Sequence, residues 1–295
     1  MSIPPNPSIG KPSEPKVLTG KKIPQAPAID RVTVAHTIVK GANWSNKQLH
    51  DLNALKTEFE NCDFRYSNFD RAYFRDAKFT NCRFNGARFH DCNLKSADFI
   101  GCDLKFAQFH KCVVEVREIV ASLPAEPNIR REGLQNLKAN AVEVGDFENV
   151  GFIVLQEIEA TKRHYSYALR GFDTYYRNKY GSFLAKTRAG AQLLWLQISG
   201  LIWGHGEKPW RLLSSCITIL ALLGLINFWS VMPRVGWNET DNGLDVLAYI
   251  FRLFLDMEPD KKFGGFVSID YAVVIMRYVY IGLFISILYK SISHR

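Results

Sequence analysis

The chain has 295 residues and a formal net charge of +8, and this length allows two or three domains. The sequence offers no nucleophile paired with a base, no phosphate-binding glycine loop and no carboxylate pair with catalytic spacing. We therefore predict that the protein is not an enzyme, that it has no catalytic residues and that it needs no cofactor.

The N-terminal residues 1–28 are rich in Pro, Ser, Lys and Gly. A secretory signal peptide requires an apolar segment, and this stretch has none, so we expect no signal peptide. Its composition is typical of disorder. We predict a disordered or extended N-terminal tail over residues 1–50.

A large apolar residue then recurs at every fifth position, and a small residue lies two positions before each one. The large residues are Phe59, Phe64, Phe69, Phe74, Phe79, Phe84, Phe89, Leu94, Phe99, Leu104, Phe109 and Val114. The small residues are Thr57, Cys62, Ser67, Ala72, Ala77, Cys82, Ala87, Cys92, Ala97, Cys102, Ala107 and Cys112. Neither a helix nor a flat strand buries a period of five. A chain that turns a corner every five residues does bury it.

Residues 51–114 are therefore predicted to form a right-handed quadrilateral β-helix, with four pentads in each coil. The twelve pentads give about three coils and a height of about 14 Å, because stacked strands lie roughly 4.8 Å apart. A rod this short is expected to be one module of a larger architecture.

Five of the six cysteines fall on the small inward positions of the repeat. A zinc or disulfide site is the alternative, but there is no C-x-x-C pair and the repeat already explains the spacing. We interpret them as buried free thiols in a reducing cytosol. His90 and His110 are twenty residues apart and should stack outside the rod. Only Asp70 shares their column, so we predict no metal site.

Residues 115–210 are predicted to form a helical connector. Apolar positions between Ile129 and Val144 fit one amphipathic helix, Gly145 ends it, and Asp146 caps a second helix, which together predict a helix hairpin. The segment Leu193–Trp203 is strongly apolar, with tryptophans near both ends. It is typical of a juxtamembrane helix on the cytoplasmic membrane surface, and a core helix packed against the hairpin is the alternative.

Residues 211–295 contain two apolar segments, Leu212–Met232 and Tyr271–Tyr289, that are long enough to cross a bilayer. Basic residues flank the outer ends of the pair, and acidic residues lie between the segments. The positive-inside bias therefore predicts a multi-pass protein with both termini in the cytoplasm.

Between these segments, Leu244–Leu255 is apolar but too short to cross, which suits a re-entrant pore helix or an interfacial helix. The residues assigned to this pore helix are Leu244, Asp245 and Arg252. Asp256 and Glu258 follow it where a selectivity filter would lie, and we predict that they line a pore. In the alternative, Asp256 pairs with Arg252 one turn earlier and nothing conducts.

Arg277 lies inside the second apolar segment, where a charge costs about 2.5–3.5 kcal/mol on insertion scales. Its expected partners are Asp256, Glu258 or Asp270, and extension of the side chain to the interface is the alternative. Gly282 and Ser286, four residues apart, predict a close helix-packing face on the same segment.

The pentads ARFHD, CNLKS, ADFIG and CDLKF resemble the A(D/N)LXX consensus of the pentapeptide-repeat family. Three further segments resemble bacterial proteins that join such repeats to a helical connector and a two-helix ion-channel module: GDFENVGFIVLQEIEA at Gly145–Ala160, GHGEKPWR at Gly204–Arg211 and LDVLAYI at Leu244–Ile250. This resemblance covers about residues 57–295 and implies a tetrameric channel. The segment FLDMEPDKK lacks the Gly-Tyr-Gly of a potassium filter, so potassium selectivity is not expected.

These observations support three hypotheses of different classes. The first is a homo-oligomeric, tetrameric pore in the bacterial inner membrane, non-selective or cation-preferring, gated or assembled through a cytoplasmic β-helix; a membrane-depolarising effector of stress or defence would suit it. Its partners are further copies of the chain, membrane lipids and ions. The second is a membrane-anchored scaffold whose β-helix binds a cytoplasmic protein.

The third hypothesis is a DNA-mimicking protein that binds gyrase, as some pentapeptide-repeat proteins do. DNA mimicry needs an acidic surface, yet the segment Thr57–Cys112 has eight acidic and nine basic residues. The near-neutral rod argues against this hypothesis, and we predict no nucleic-acid partner.

Overall fold

The computed structural model describes residues 16–19, 28–206, 209–235 and 240–293. The chain divides into two compact units, Met1–His164 and Tyr165–Arg295. The first unit contains a β-solenoid and a helical extension. The second unit is helical throughout its described secondary structure.

Short parallel strands build the solenoid. They are β1 (Lys16–Thr19), β2 (Ala28–Asp30), β3 (Thr37–Lys40), β4 (Gln48–His50), β5 (Glu58–Glu60), β6 (Asn68–Asp70), β7 (Lys78–Thr80), β8 (Arg88–His90), β9 (Asn93–Leu94), β10 (Asp98–Ile100), β11 (Gln108–His110) and β12 (Val113–Val114). Two five-stranded sheets have the orders β1-β3-β5-β7-β10 and β11-β8-β6-β4-β2. Stacked residues are 20 apart, as in the pairing of Phe59 with Phe79. Neighbouring strands on a face are one coil apart, so five stacked strands extend over about four coils.

The solenoid is thus about one coil longer than the predicted three, and the predicted tail over residues 1–50 is wrong for residues 16–19 and 28–50, which form part of the solenoid. The large column continues upstream through the buried residues Val39, Trp44 and Leu49. In the pentad between Leu49 and Thr57, the large and small residues are reversed: Leu52 is at the small position and Ala54 is at the large one. This reversal interrupts the five-residue pattern, so the upstream coil could not be recognised from the sequence. Residues 1–15 and 20–27 of the predicted tail lie outside the described residues.

Both predicted columns point into the solenoid. Phenylalanine rings in successive coils stack face to face, with centroids 4.8 Å apart for Phe69 and Phe89 and 5.0 Å apart for Phe89 and Phe109. The six cysteines are free thiols, as predicted. A hydrogen bond between the Cys62 and Cys82 thiols, together with burial, raises the pKa of Cys62. Such a thiol is packing material and not a reactive group.

Five helices follow the solenoid: α1 (Val116–Ser122), α2 (Pro127–Glu143), α3 (Phe147–Arg170), α4 (Thr174–Lys179) and α5 (Phe183–Ile202). Helices α2 and α3 form the predicted hairpin. Gly145 adopts a φ of +74° after α2, and Asp146 Oδ1 accepts a bond from the Asn149 backbone N–H at 3.4 Å. The Lys138 ammonium lies 2.6 Å from the Glu157 carboxylate across the hairpin.

One face of α2 closes the open end of the solenoid. The Asn140 side chain accepts from the Cys112 N–H at 2.7 Å and donates to the Cys112 carbonyl at 2.8 Å. Asn136 makes the same pair of bonds to Phe109, at 2.8 and 3.2 Å. These amides supply the backbone partners that a further coil would otherwise provide.

The second unit ends with three helices, α6 (Pro209–Val235), α7 (Thr240–Phe254) and α8 (Val267–Ser293). Two of them, α6 and α8, are long and apolar enough to cross a membrane, over Pro209–Val231 and Val267–Tyr289. Only 22% and 17% of their most apolar stretches are buried within the chain. The core helix of a soluble protein would be mostly buried.

Candidate functional site

The candidate site is the loop between α7 and α8, together with the helices that hold it. Apolar side chains from all three helices form one buried cluster: Leu220 and Val231 of α6, Val246, Tyr249 and Ile250 of α7, Phe263 of the loop, and Ile269 and Val273 of α8. Helix α7 therefore packs against both long helices, and the loop that follows it is anchored at Phe263.

Asn227 fixes the far end of this loop. Its fully buried amide donates to the Phe263 carbonyl at 3.0 Å and accepts from the Gly265 N–H at 2.9 Å. A weaker bond of 3.3 Å reaches the Val246 carbonyl in α7. Gly265 approaches so closely that an added Cβ would lie 2.6 Å from Asn227 Oδ1. One polar side chain thus joins α6, α7 and the loop.

Asp256 directly follows α7 and forms an ion pair with Arg277 of α8, at 2.5 Å between Oδ1 and Nη1. Asp256 has a φ of +61°, which turns the chain sharply after the helix. Its side chain is 82% exposed, whereas that of Arg277 is only 13% exposed. In the part of the chain that the structure describes, the ion pair of Asp256 is with Arg277 rather than with Arg252.

Glu258 lines a cavity of about 540 Å³ beside the loop, together with Tyr249, Lys261 and Asp270. The Tyr249 hydroxyl lies 3.1 Å from Asp270 Oδ2 and donates to it. Two carboxylates and a phenol therefore converge with one lysine on this cavity. Glu258 itself is exposed.

The other predicted residues lie on the periphery of this arrangement. Leu244 is 72% exposed near the start of α7, Asp245 is half-buried, and Arg252 is exposed in the last turn. Gly282 and Ser286 both lie on an exposed face of α8. A Cβ added at Gly282 would have no neighbour within 4 Å. The structure brings Asp256 and Arg277 together and leaves the predicted packing face of α8 uncovered.

A second close packing point joins α5 to α6. The His205 ring covers Gly200 so tightly that an added Cβ there would lie 2.7 Å from Nε2. Nδ1 of the same ring lies 3.0 Å from the Ser199 hydroxyl, and Arg211 of α6 donates to the Gly200 carbonyl at 2.9 Å. Further along α6, the Ser215 hydroxyl lies 3.0 Å from the Tyr280 hydroxyl of α8. Helix α6 is thus bonded to α5 at Arg211 and to α8 at Ser215.

Sequence reasoning missed Asn227. The signal was a single amide within an otherwise apolar segment, because buried polar groups in such segments need partners. It also missed the junction residues Gly200, Ser215 and Tyr280, for which no sequence period exists.

Residues 53–120 match the family described as pentapeptide repeat region. This part of the chain is a pentapeptide-repeat region. The match ends at residue 120 and does not reach the helices of the second unit. No curated protein matches the chain.

Solved structures of three pentapeptide-repeat or resistance proteins are similar to about a third of the chain. A pentapeptide repeat protein from the Arabidopsis thaliana thylakoid lumen is 17% identical over 35% of this chain and 68% of its own, with a TM-score of 0.21. QnrB1, a plasmid-mediated fluoroquinolone resistance protein, is 24% identical over 33% and 60%, with a TM-score of 0.16. Rfr23 from the cyanobacterium Cyanothece 51142 is 18% identical over 32% and 69%, with a TM-score of 0.14.

Proposed function

We propose that the protein is an oligomeric membrane pore, tetrameric and cation-preferring, whose pentapeptide-repeat solenoid lies in the cytoplasm. In this proposal α6 and α8 cross the inner membrane. The low burial of their apolar stretches, 22% and 17%, supports contact with lipid or with other copies of the chain.

The ion pair between Asp256 and Arg277 carries the proposal. Arg277 follows Val267, the first residue of α8, by ten positions, and so lies about 15 Å along the helix axis. That is half the thickness of a hydrocarbon core of about 30 Å. If α8 spans the bilayer, Asp256 lies near the same depth as its partner. The turn after α7 would then enter the membrane from one side and return, as in a re-entrant loop.

Irregular backbone at this depth is tolerated only where protein buries it or where it lines a water-filled cavity. Within one chain this turn is open: Leu255 is 64% exposed and Met257 is 56% exposed, and the Asp256 side chain is 82% exposed. These exposures favour an assembly in which other copies and a water-filled pore cover the turn.

The chemistry of the turn favours cations without fine selectivity. In a tetramer, Asp256 and Glu258 would form rings of carboxylates, which attract cations by charge. The backbone there has no run of glycines to expose a ladder of carbonyls, so potassium would not be preferred over sodium. The uncovered face at Gly282 and Ser286 would supply the close contact between copies.

The test is conductance of the purified chain in planar bilayers, with its mass in detergent measured in parallel. We expect currents with a reversal potential that reports cation preference and little difference between sodium and potassium. The double variant Asp256→Asn with Glu258→Gln should lose at least half of that preference, because Arg277 would then face the pore without its counter-charge.

Asp260→Asn is the matched control, because Asp260 lies in the same loop and its side chain caps the backbone at Lys262, a role that Asn retains. This variant should conduct like the wild type. Unchanged selectivity in the double variant would place the pore elsewhere. Absence of current from a verified oligomer would favour the second candidate, a membrane-anchored scaffold whose solenoid binds a cytoplasmic protein.

The missing filter motif is the observation that favours this scaffold. A gyrase-binding role is a third candidate, because residues 53–120 match the pentapeptide repeat region and some proteins with such repeats bind gyrase. The near-neutral charge of the repeats weighs against DNA mimicry. A supercoiling assay with purified gyrase would separate it from the other two.

A further inference from the structure

One outer column of the solenoid concentrates imidazole and carboxylate groups. The last residues of β4, β6, β8 and β11 stack in register, because His50 pairs with Asp70, Asp70 with His90, and His90 with His110. The Glu143 carboxylate of α2 extends the column, at 2.8 Å from His110 Nδ1. Stacked strands bring such side chains about 4.8 Å apart.

Three ligand-type atoms meet at the centre of this column. His90 Nδ1 lies 3.3 Å from Asp70 Oδ1 and 2.9 Å from Asp91 Oδ2. The ligand atoms of these three residues all lie within 4.8 Å of one another. Asp91 reaches the column because it occupies the corner after β8, with a φ of +51°. The corner geometry of the repeat therefore adds a second carboxylate beside the stacked pair.

We propose that Asp70, His90 and Asp91 bind a divalent first-row transition-metal ion such as zinc, with water completing the coordination. Bonds of about 2.0–2.2 Å to imidazole nitrogen and carboxylate oxygen are normal for zinc. Ligand atoms around a tetrahedral ion with such bonds lie about 3.3 Å apart. The separations of 3.3 and 2.9 Å from His90 Nδ1 to the two carboxylates are close to this value. All three ligand atoms lie within 4.8 Å of one another, so rotation of the side chains would bring them around one ion.

Outer groups orient Asp70 for this role. Its Oδ2 lies 3.2 Å from His50 Nδ1 and accepts a 2.6 Å bond from Arg71. Arg71 is in turn held by Asp51, at 2.8 Å. Oδ1 is thereby directed toward His90. Hydrogen-bonded carboxylates of this kind are the usual outer partners of metal ligands.

The three ligands come from two successive coils, so a bound ion would join β6 to β8 on the surface of the solenoid. Binding to the folded state alone raises the apparent stability of the solenoid. The inward cysteines are a poorer choice for the same ion, because four of the five are buried in the packed interior and a thiol must lose its proton to bind.

The experiment uses the tag-free, full-length protein in detergent, stripped of metal by a chelator and titrated with cobalt(II) and then zinc. We expect one equivalent of cobalt per chain, visible ligand-field bands without thiolate charge-transfer absorption, and displacement by zinc. His90→Gln and Asp91→Asn should each abolish stoichiometric binding. His50→Gln should weaken it about 10–100-fold, as loss of an outer partner does.

Asp76→Asn is the matched control, because Asp76 occupies an equivalent corner, with a φ of +56°, on another face of the solenoid. It should bind cobalt like the wild type, and circular dichroism should show that every variant is folded. Zinc should also raise the melting temperature of the wild type and of Asp76→Asn but not of His90→Gln. Absence of stoichiometric binding, binding that survives His90→Gln, or a thiolate band would overturn the proposal.

Discussion

Two buried asparagines have the same role in different parts of the chain: each bonds to backbone groups where regular structure ends. Asn140 ends the solenoid by bonding to both backbone groups of Cys112. Asn227 holds the loop after α7 through backbone groups of Phe263 and Gly265. In both places the regular structure stops and leaves backbone donors and acceptors inside the protein. An amide suits this position because it both donates and accepts.

Replacement of Asn140 by leucine should destabilise the end of the solenoid. The change leaves the Cys112 N–H and carbonyl buried without partners, at a cost of about 1–3 kcal/mol for each group. Hydrogen-exchange mass spectrometry of peptides covering residues 108–114 should show protection reduced by at least tenfold. Ala139→Leu is the control, because Ala139 lies on the exposed side of the same helix and its replacement should change stability by less than about 0.5 kcal/mol. Equal protection in the two variants would contradict the capping role.

The sequence predicted the interior of the solenoid residue by residue, because packing imposes a strict period there. It did not predict the first coil, where Leu52 and Ala54 exchange sizes. Recognition of that coil would have placed His50 in the column with Asp70 and His90. The roles of Asn140 and Asn227 were not predicted either, because they depend on hydrogen-bond partners distant in sequence and not on a repeating pattern.

At the scale of elements, α5 and α6 meet at a tightly packed junction. Gly200 is covered by the His205 ring and bonded through its carbonyl to Arg211. Along α5, apolar side chains are exposed, including Leu194 at 56%, Trp195 at 60% and Leu201 at 76%. This exposure fits the predicted surface helix, which would lie on the membrane.

Gly200→Ala should loosen this junction. The new methyl group would lie 2.7 Å from His205 Nε2, and overpacking of this kind costs about 1–3 kcal/mol. Gly190→Ala in the same helix is the matched control, since its methyl group would lie 3.7 Å from Leu169 Cδ2, an ordinary contact. The control should gain about 0.5–1 kcal/mol, because alanine favours a helix more than glycine does.

Thermal unfolding in detergent measures both changes. We expect a lower melting temperature for Gly200→Ala and an equal or higher one for Gly190→Ala. The same order should hold for the amount of folded protein recovered from membranes. A Gly200→Ala variant as stable as the wild type would mean that the His205 ring is not held over α5.

At the scale of the whole molecule, the two long helices of the second unit were predictable from the sequence, but α4, the start of α5 and the contacts between the helices were not. Long apolar segments identify α6 and α8 because a membrane span needs about 20 such residues. The pairing of Asp256 with Arg277 could be proposed from charge alone, as one of three options. Which of the three acidic residues pairs with Arg277 depends on how α7 packs, and the pattern of apolar residues does not specify this packing.

The last prediction concerns the topology of the two spans. Basic residues flank the outer ends of the pair, and acidic residues lie between the spans, so both chain termini should face the cytoplasm. Fusions of alkaline phosphatase and of green fluorescent protein after Asn242 and after Arg295 test this. The phosphatase should be active only after Asn242, and fluorescence should appear only after Arg295, because each reporter matures on one side of the membrane. The same signal at both positions would exclude a two-span protein. A phosphatase signal confined to Arg295 would place the solenoid and its five free thiols outside the reducing cytosol, which would contradict the predicted orientation.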